Sequence, residues 1–259
     1  MDLRDRHVVV TGAAGGIGSA IARRLHEAGA RLSVTDLRGA DSLASELPGA
    51  FSVAADISSE AGNIELITAA QSAHGEIDLF FANAGVAIGT DPMDAEGTWE
   101  TAFAINLHAH RWAARQLLPA WLERGEGYFC STASAAGLLA QIGSAPYSVT
   151  KHGAVAFAEW LAITYGSRGL RVSCLCPQGV NTDMLNSDVV GGGGGDVVRA
   201  VGNVLEPEEV AEVVHAAIID ERFLILPHPE VGDYLRHKGD DPARWISGMQ
   251  RLQRRTLGF

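Results

Sequence analysis

Short runs rich in β-branched residues alternate with stretches of helical length along this chain, and that alternation constrains the fold more tightly than any single motif. HVVVTG (7–12), RLSVTD (31–36), FSVAAD (51–56), IDLFFANAG (77–85), GYFCSTAS (127–134), LRVSCLCPQG (170–179) and RFLILP (222–227) read as strands. Helices are expected over 18–29, 58–75, 99–125, 147–169 and 206–218, with Pro119 expected to kink or end part of the third. Parallel strands buried on both faces read as near-continuous apolar runs. The pattern therefore predicts one doubly wound α/β domain over residues 1–259, with about seven mostly parallel strands and helices on both faces.

Bulk properties exclude several classes of function. The formal net charge is −11, so the chain has no electrostatic reason to sit on nucleic acid or on anionic lipid. The uncharged stretch from Val8 to Ala22 is interrupted by glycines at 12, 15, 16 and 18, which argues against a buried apolar helix. Cys130, Cys174 and Cys176 are odd in number and lack framework spacing, so free thiols and a cytoplasmic location are expected. Cys174 and Cys176 are two apart, which on a strand gives them one face. Core thiols are expected there, and no metal ligands anywhere; His108 and His110, two apart on a helix, diverge.

The first strand leads into Thr11-Gly12-Ala13-Ala14-Gly15-Gly16-Ile17-Gly18 and then directly into a helix. Gly12 suits a tight turn, Gly16 a close approach of backbone to a pyrophosphate, and Gly18 close packing of helix on sheet. The helix N-terminus offers free N–H groups and a positive dipole end to phosphates. The spacing is G-x-x-x-G-x-G rather than G-x-G-x-x-G. Asp36 ends the second strand, where a carboxylate accepts from both ribose hydroxyls of an adenosine and repels a 2′-phosphate. Gly15 sits where a basic residue would help to hold that phosphate, and Arg38 is the one residue that favours it. The reading is a Rossmann-like NAD site, with NADP less favoured.

Tyr147 and Lys151 are four residues apart at the start of a helix and share a face. A tyrosine near pKa 10 is a poor base at neutral pH; a nearby ammonium and an oxidised nicotinamide ring both favour phenolate. Ser134, at the end of the fifth strand, is placed to hydrogen-bond a substrate oxygen passing between carbonyl and alkoxide. Asn106 lies mid-helix, where asparagine is disfavoured, and a hydrogen bond to a relay water would be one reason for it.

These pieces, taken in order, resemble the short-chain dehydrogenase/reductase family in its one-domain form, from about Leu3 to Pro227. The matches are TGAAGGIG at 11–18, Asp56, Asn83-Ala84-Gly85, Asn106, Ser134, YSVTK at 147–151 and PQGVNTDM at 177–184. The resemblance implies that Tyr147 is the acid/base and that Lys151 lowers its pKa and binds the nicotinamide ribose. Ser134 would polarise the substrate oxygen and Asn106 hold the relay water. It implies cofactor contacts from Gly12, Gly15, Gly16, Ile17, Gly18, Asp36 and Leu37, and from Asp56 and Ile57 at the adenine. Asn83, Ala84 and Gly85 would line the adenosine-ribose side, and Pro177, Gly179, Val180 and Thr182 would complete the site, Val180 and Thr182 at the carboxamide. It also implies a homodimer or homotetramer. Gln178 departs from the family's usual Pro-Gly and is expected to contact substrate.

Ala136, Gln141 and Met184, with Ala87, Ala135 and Leu138, are further expected pocket residues. Most are small or apolar, which predicts a small, largely apolar secondary alcohol and its ketone as substrate pair. Residues 185–205, with glycines 191–195, are expected to form a flexible substrate lid. The segment 228–259 reads as a packing tail or a subunit contact. Two rival readings are a catalytically silent NAD-binding regulator or scaffold and an enoyl reductase of the same fold. An intact Ser134, Tyr147 and Lys151 set argues against the first, and the four-residue spacing disfavours the second.

Overall fold

The strands assemble in the order β3-β2-β1-β4-β5-β6-β7, all parallel. They are β1 (His7–Thr11), β2 (Arg31–Asp36), β3 (Phe51–Ala54), β4 (Leu79–Ala82), β5 (Gly127–Thr132), β6 (Leu170–Leu175) and β7 (Leu224–Ile225). The computed structural model describes residues 1–186 and 194–258. Helices fill the connections: α1 (Gly16–Glu27), α2 (Ala40–Glu46), α3 (Glu60–His74), α4 (Glu96–Phe103), α5 (Ala109–Arg124), α6 (Ala136–Leu139), α7 (Ala145–Tyr165), α8 (Asp183–Asn186), α9 (Gly194–Val201), α10 (Pro207–Ile219), α11 (Glu230–Asp240) and α12 (Pro242–Leu257). None of the described helices is long and apolar enough to cross a membrane.

Alternation along each strand splits the core into two layers. Val8, Val10, Leu32, Val34 and Phe81 face α1 and α10 through Ile21, Leu25, Val210 and Val214. Val9, Phe80 and Phe129 face α3, α5 and α7 through Leu66, Leu117, Trp121, Ala158 and Leu161. The chain builds outward from β1 through β2 to β3, then crosses back to place β4 on the other side of β1. Ligands bind beyond the carboxyl ends of strands at such a switch point, and the described residues of the principal cleft cluster there.

Four local expectations change. The last strand is only two residues long, and α2 arises where no helix is expected. Pro119 lies inside α5, which continues past it to Arg124. Pro119 is exposed, so water can take the carbonyl that proline leaves without a donor. The irregularity sits instead at Ala104–His108, a turn of π-helix between α4 and α5. The tail forms two helices, α11 and α12. Of the expected lid, 187–193 lie outside the described residues.

Candidate active site

The phosphate end is shaped by what glycine leaves out. Gly12 has φ +63°, and a Cβ there would stand 2.7 Å from Ala84 Cα. A Cβ at Gly18 would fall 2.0 Å from the Gly12 carbonyl oxygen, so α1 packs directly on the turn. No side chain caps the N-terminus of α1, whose first turn holds no acidic residue. Its free N–H groups and positive dipole end are therefore left to an anion. These are features that fit a dinucleotide pyrophosphate.

Asp36 joins this turn to β2. Its Oδ2 accepts the Ala14 N–H at 3.0 Å and its Oδ1 the Leu37 N–H at 2.7 Å, while the carboxylate still borders the cleft beside the exposed Leu37. Asp56 accepts from the backbone and hydroxyl of Ser58 at 3.0 and 2.6 Å and lines the same wall with Ile57. Asn83 braces the sheet: its Nδ2 donates to the Thr11 and Gly12 carbonyls at 3.1 and 3.2 Å, and its Oδ1 accepts from Thr132 Oγ1 at 3.1 Å. Thr11 Oγ1 accepts the N–H groups of Asn83 and Ala84 at 2.9 and 3.0 Å.

At the other end, Ser134 follows β5 and Tyr147 enters α7 one turn before Lys151. The Ser134 hydroxyl acts on the Tyr147 phenol, favouring its ionised form. Lys151 Nζ lies 5.7 Å from the Tyr147 ring centroid and donates to the Thr132 carbonyl at 2.9 Å. Burial pushes the Tyr147 phenol above its ordinary value, and the Ser134 hydroxyl offsets part of that rise. Burial also pushes the Lys151 ammonium down to about 8, against the influence of Cys174 and Cys176 behind it. Lys151 therefore stays largely protonated at neutral pH, and desolvation still leaves Tyr147 above its ordinary value.

Asn106 sits in the π turn, fully buried. Its Oδ1 accepts the Val86 N–H at 2.8 Å, and its Nδ2 donates to the Val86 carbonyl at 2.9 Å and to Thr150 Oγ1 at 3.1 Å. Both amide donors thus go to protein partners, leaving only acceptor capacity for a water. A Cβ at Gly85 would lie 3.2 Å from both Asn106 Oδ1 and Lys151 Nζ, so these atoms converge over a residue with no side chain.

The expected residues mostly meet in one cleft of about 400 Å³, which holds Gly12, Gly15, Gly16, Ile17, Gly18, Ala84, Pro177, Val180, Thr182, Gln141, Gln178, Met184 and Ala87 with those described above. Five expected residues stand off its lining. Ala136 is buried with Ala135 and Leu138 and lies off the lining; its N–H donates to Ser134 Oγ at 3.1 Å, orienting the hydroxyl instead. Gly179 faces α9, where a Cβ would meet Val198 Cγ1 at 2.9 Å. Asn106 lies beneath the cleft. Val86 and Ser144 line the cleft unforeseen, whereas Leu185 and Val198 enter it from the expected lid segment. Only Val86 had a local signal, its position after Asn83-Ala84-Gly85. Thr11 and Thr132 were equally unread, because their roles depend on strands far apart in sequence.

A family model described as short chain dehydrogenase matches residues 6–190. The chain belongs to the short chain dehydrogenase family. Proteins of this family bind a nicotinamide cofactor and are oxidoreductases of hydroxyl and ketone substrates. This short chain dehydrogenase is 34% identical to a 1-deoxy-11-beta-hydroxypentalenate dehydrogenase of Streptomyces exfoliatus, over 95% of the chain and 92% of that protein. It is 31% identical to a cis-4-hydroxycyclohexanecarboxylate dehydrogenase of Sinomonas cyclohexanicum, over 81% and 88%. The fold matches a short chain dehydrogenase/reductase from Burkholderia phymatum in complex with NAD at a TM-score of 0.83 and 26% identity, covering 93% of this chain and 95% of that one.

Proposed function

We propose that this short chain dehydrogenase interconverts a small, largely apolar secondary alcohol and its ketone with NAD(H), with Tyr147 as general acid/base. The observation that carries the reading is that Ser134, Tyr147 and buried Lys151 together line one end of a cleft whose other end is the glycine turn. The nicotinamide supplies the hydride acceptor or donor. Ser134 holds the substrate oxygen, and Tyr147 takes or returns its proton. Lys151 stands where it steadies the phenolate, and the space over Gly85, between Asn106 Oδ1 and Lys151 Nζ, suits a water that links the pair to solvent.

NAD over NADP is supported by Asp36, whose carboxylate borders the cleft where a 2′-phosphate would sit, and by Gly15, which offers that phosphate no cation. Ala87, Met184, Leu185 and Val198 on the lining support an apolar substrate body. The cyclic hydroxy compounds in the relatives' names point the same way. α8 and α9, which flank 187–193, supply Leu185 and Val198, in keeping with a lid role for 185–205. Assembly as a homodimer or homotetramer is supported by Val149, Trp160 and Ile163, exposed along α7. A cytoplasmic location is supported by three buried free thiols.

The test is NADH formation by the purified protein, with NAD and with NADP, across aliphatic, cyclic and aryl secondary alcohols. Turnover with NAD that drops by about 10²–10⁴ in Tyr147→Phe, with NADH binding retained, is expected. Turnover only with NADP overturns the role given to Asp36, and undiminished turnover in Tyr147→Phe overturns the mechanism.

A further inference from the structure

Gln178 stands in the cleft wall beside the catalytic serine. The carbonyl of Pro177, just before it, accepts the Ala135 N–H at 2.8 Å and the Ser134 hydroxyl at 3.4 Å. The Gln178 backbone N–H donates to His228 Nδ1 at 3.1 Å. An imidazole nitrogen that accepts carries no proton, so the ring proton is on Nε2, which donates to the Asn203 carbonyl at 3.2 Å. His228 is 2% exposed. One neutral ring thus ties the loop after β6 to the segment after α9, and it comes from a part of the chain that the family model does not reach.

The Gln178 side chain is held between these anchors. Its Nε2 is buried with no hydrogen-bond partner among the described residues, and a Cβ at Gly202 would fall 2.5 Å from it. A buried amide N–H without an acceptor is costly. Gln178 still borders the cleft, and the last torsion of a glutamine is soft, so rotation of the amide can turn its donor toward a ligand.

We propose that Gln178 is a specificity-determining residue and His228 its positioning residue: the Gln178 amide recognises a substrate oxygen other than the reacting one. Preferred substrates then carry a second acceptor, a carbonyl or carboxylate, at a distance from the alcohol. This rests on the alcohol/ketone reading above.

The experiment compares 4-hydroxycyclohexanecarboxylate with cyclohexanol in turnover. Independently, it compares 4-oxocyclohexanecarboxylate with cyclohexanone in binding to the protein–NADH complex, followed by NADH fluorescence. The wild type is expected to favour the oxygen-bearing partner by about ten-fold or more, and Gln178→Leu to bring the ratio near one. His228→Asn, whose Oδ1 can replace the Nδ1 acceptor, keeps most of the preference. His228→Gln, which reaches only Asn203, and His228→Leu lose it, with NADH affinity held within about two-fold. A ratio near one in the wild type, or one unchanged in Gln178→Leu, overturns the inference. Equal losses in the Asn and Gln variants that track a lowered Tm overturn the positioning role. Binding preferences as expected without turnover of any alcohol leave this inference standing and sink the catalytic reading instead.

Discussion

Tyr147 is half-buried and Lys151 buried beside it, and desolvation acts on both against the charged form. For Lys151 this has a consequence for stability. An unfolded lysine holds its proton to about 10.5, whereas the folded protein releases it from about 8. Between those values the unfolded chain binds more protons, so raising the pH stabilises the folded state, and the benefit is lost as pH falls through 8. Relative to Lys151→Met, the wild type should gain up to about 3 kcal/mol between pH 8 and 10.5. Urea unfolding of both proteins at a series of pH values measures this, and a flat difference would show that the lysine keeps its ordinary affinity for protons. The sequence pointed to the pair by its four-residue spacing. It could not show that desolvation outweighs their mutual influence, because the thiols and the Thr132 carbonyl around Lys151 arrive from β5, β6 and the residue just beyond it. Asn106 teaches the same lesson: an asparagine in a helix flagged the position, but Val86 and Thr150, which take its amide, are tertiary partners.

At the scale of elements, the glycines of the first turn divide into two kinds. Gly18 has no room: its Cβ would collide with the Gly12 carbonyl. Gly15 has extended backbone and nothing within 4 Å of a built Cβ. Gly18→Ala should therefore lower Tm by several degrees and abolish NADH binding, by forcing α1 off the turn. Gly15→Ala should fold with unchanged Tm. Calorimetry and NADH titration of the two variants separate the cases, and equal Tm losses would contradict the packing described. The strands were legible because β1, β4 and β5 are apolar on both faces and flanked by turn residues. The π turn was not, since the apolar pattern runs unbroken from α4 into α5. The shortness of β7 was not either, because RFLILP carries a strand's composition without a second neighbour to pair with.

For the whole molecule, one face of α7 is unaccounted for by the monomer. Val149, Trp160 and Ile163 recur close to helical spacing and are 47%, 52% and 77% exposed, while Ala154, Ala158 and Leu161 on the opposite side pack onto the sheet. The helical pattern of 147–169 announced a helix but not that both sides of it are apolar, since which side meets the sheet depends on the register of the whole fold. A helix that is apolar beyond the stripe its own core needs is commonly completed by another chain. The face of α7 assigned to catalysis is the buried one, with Lys151 at 2% exposure, so the proposed assembly through the outer stripe would stiffen the helix that carries Tyr147 without covering the cleft. Trp160→Glu is expected to shift the protein toward monomer in sedimentation velocity. Activity per subunit should fall by a few-fold as α7 loses its support, and it should recover at high protein concentration as mass action restores the contact. A Trp160→Glu protein with wild-type sedimentation would remove α7 from the interface and leave the exposed stripe without an explanation.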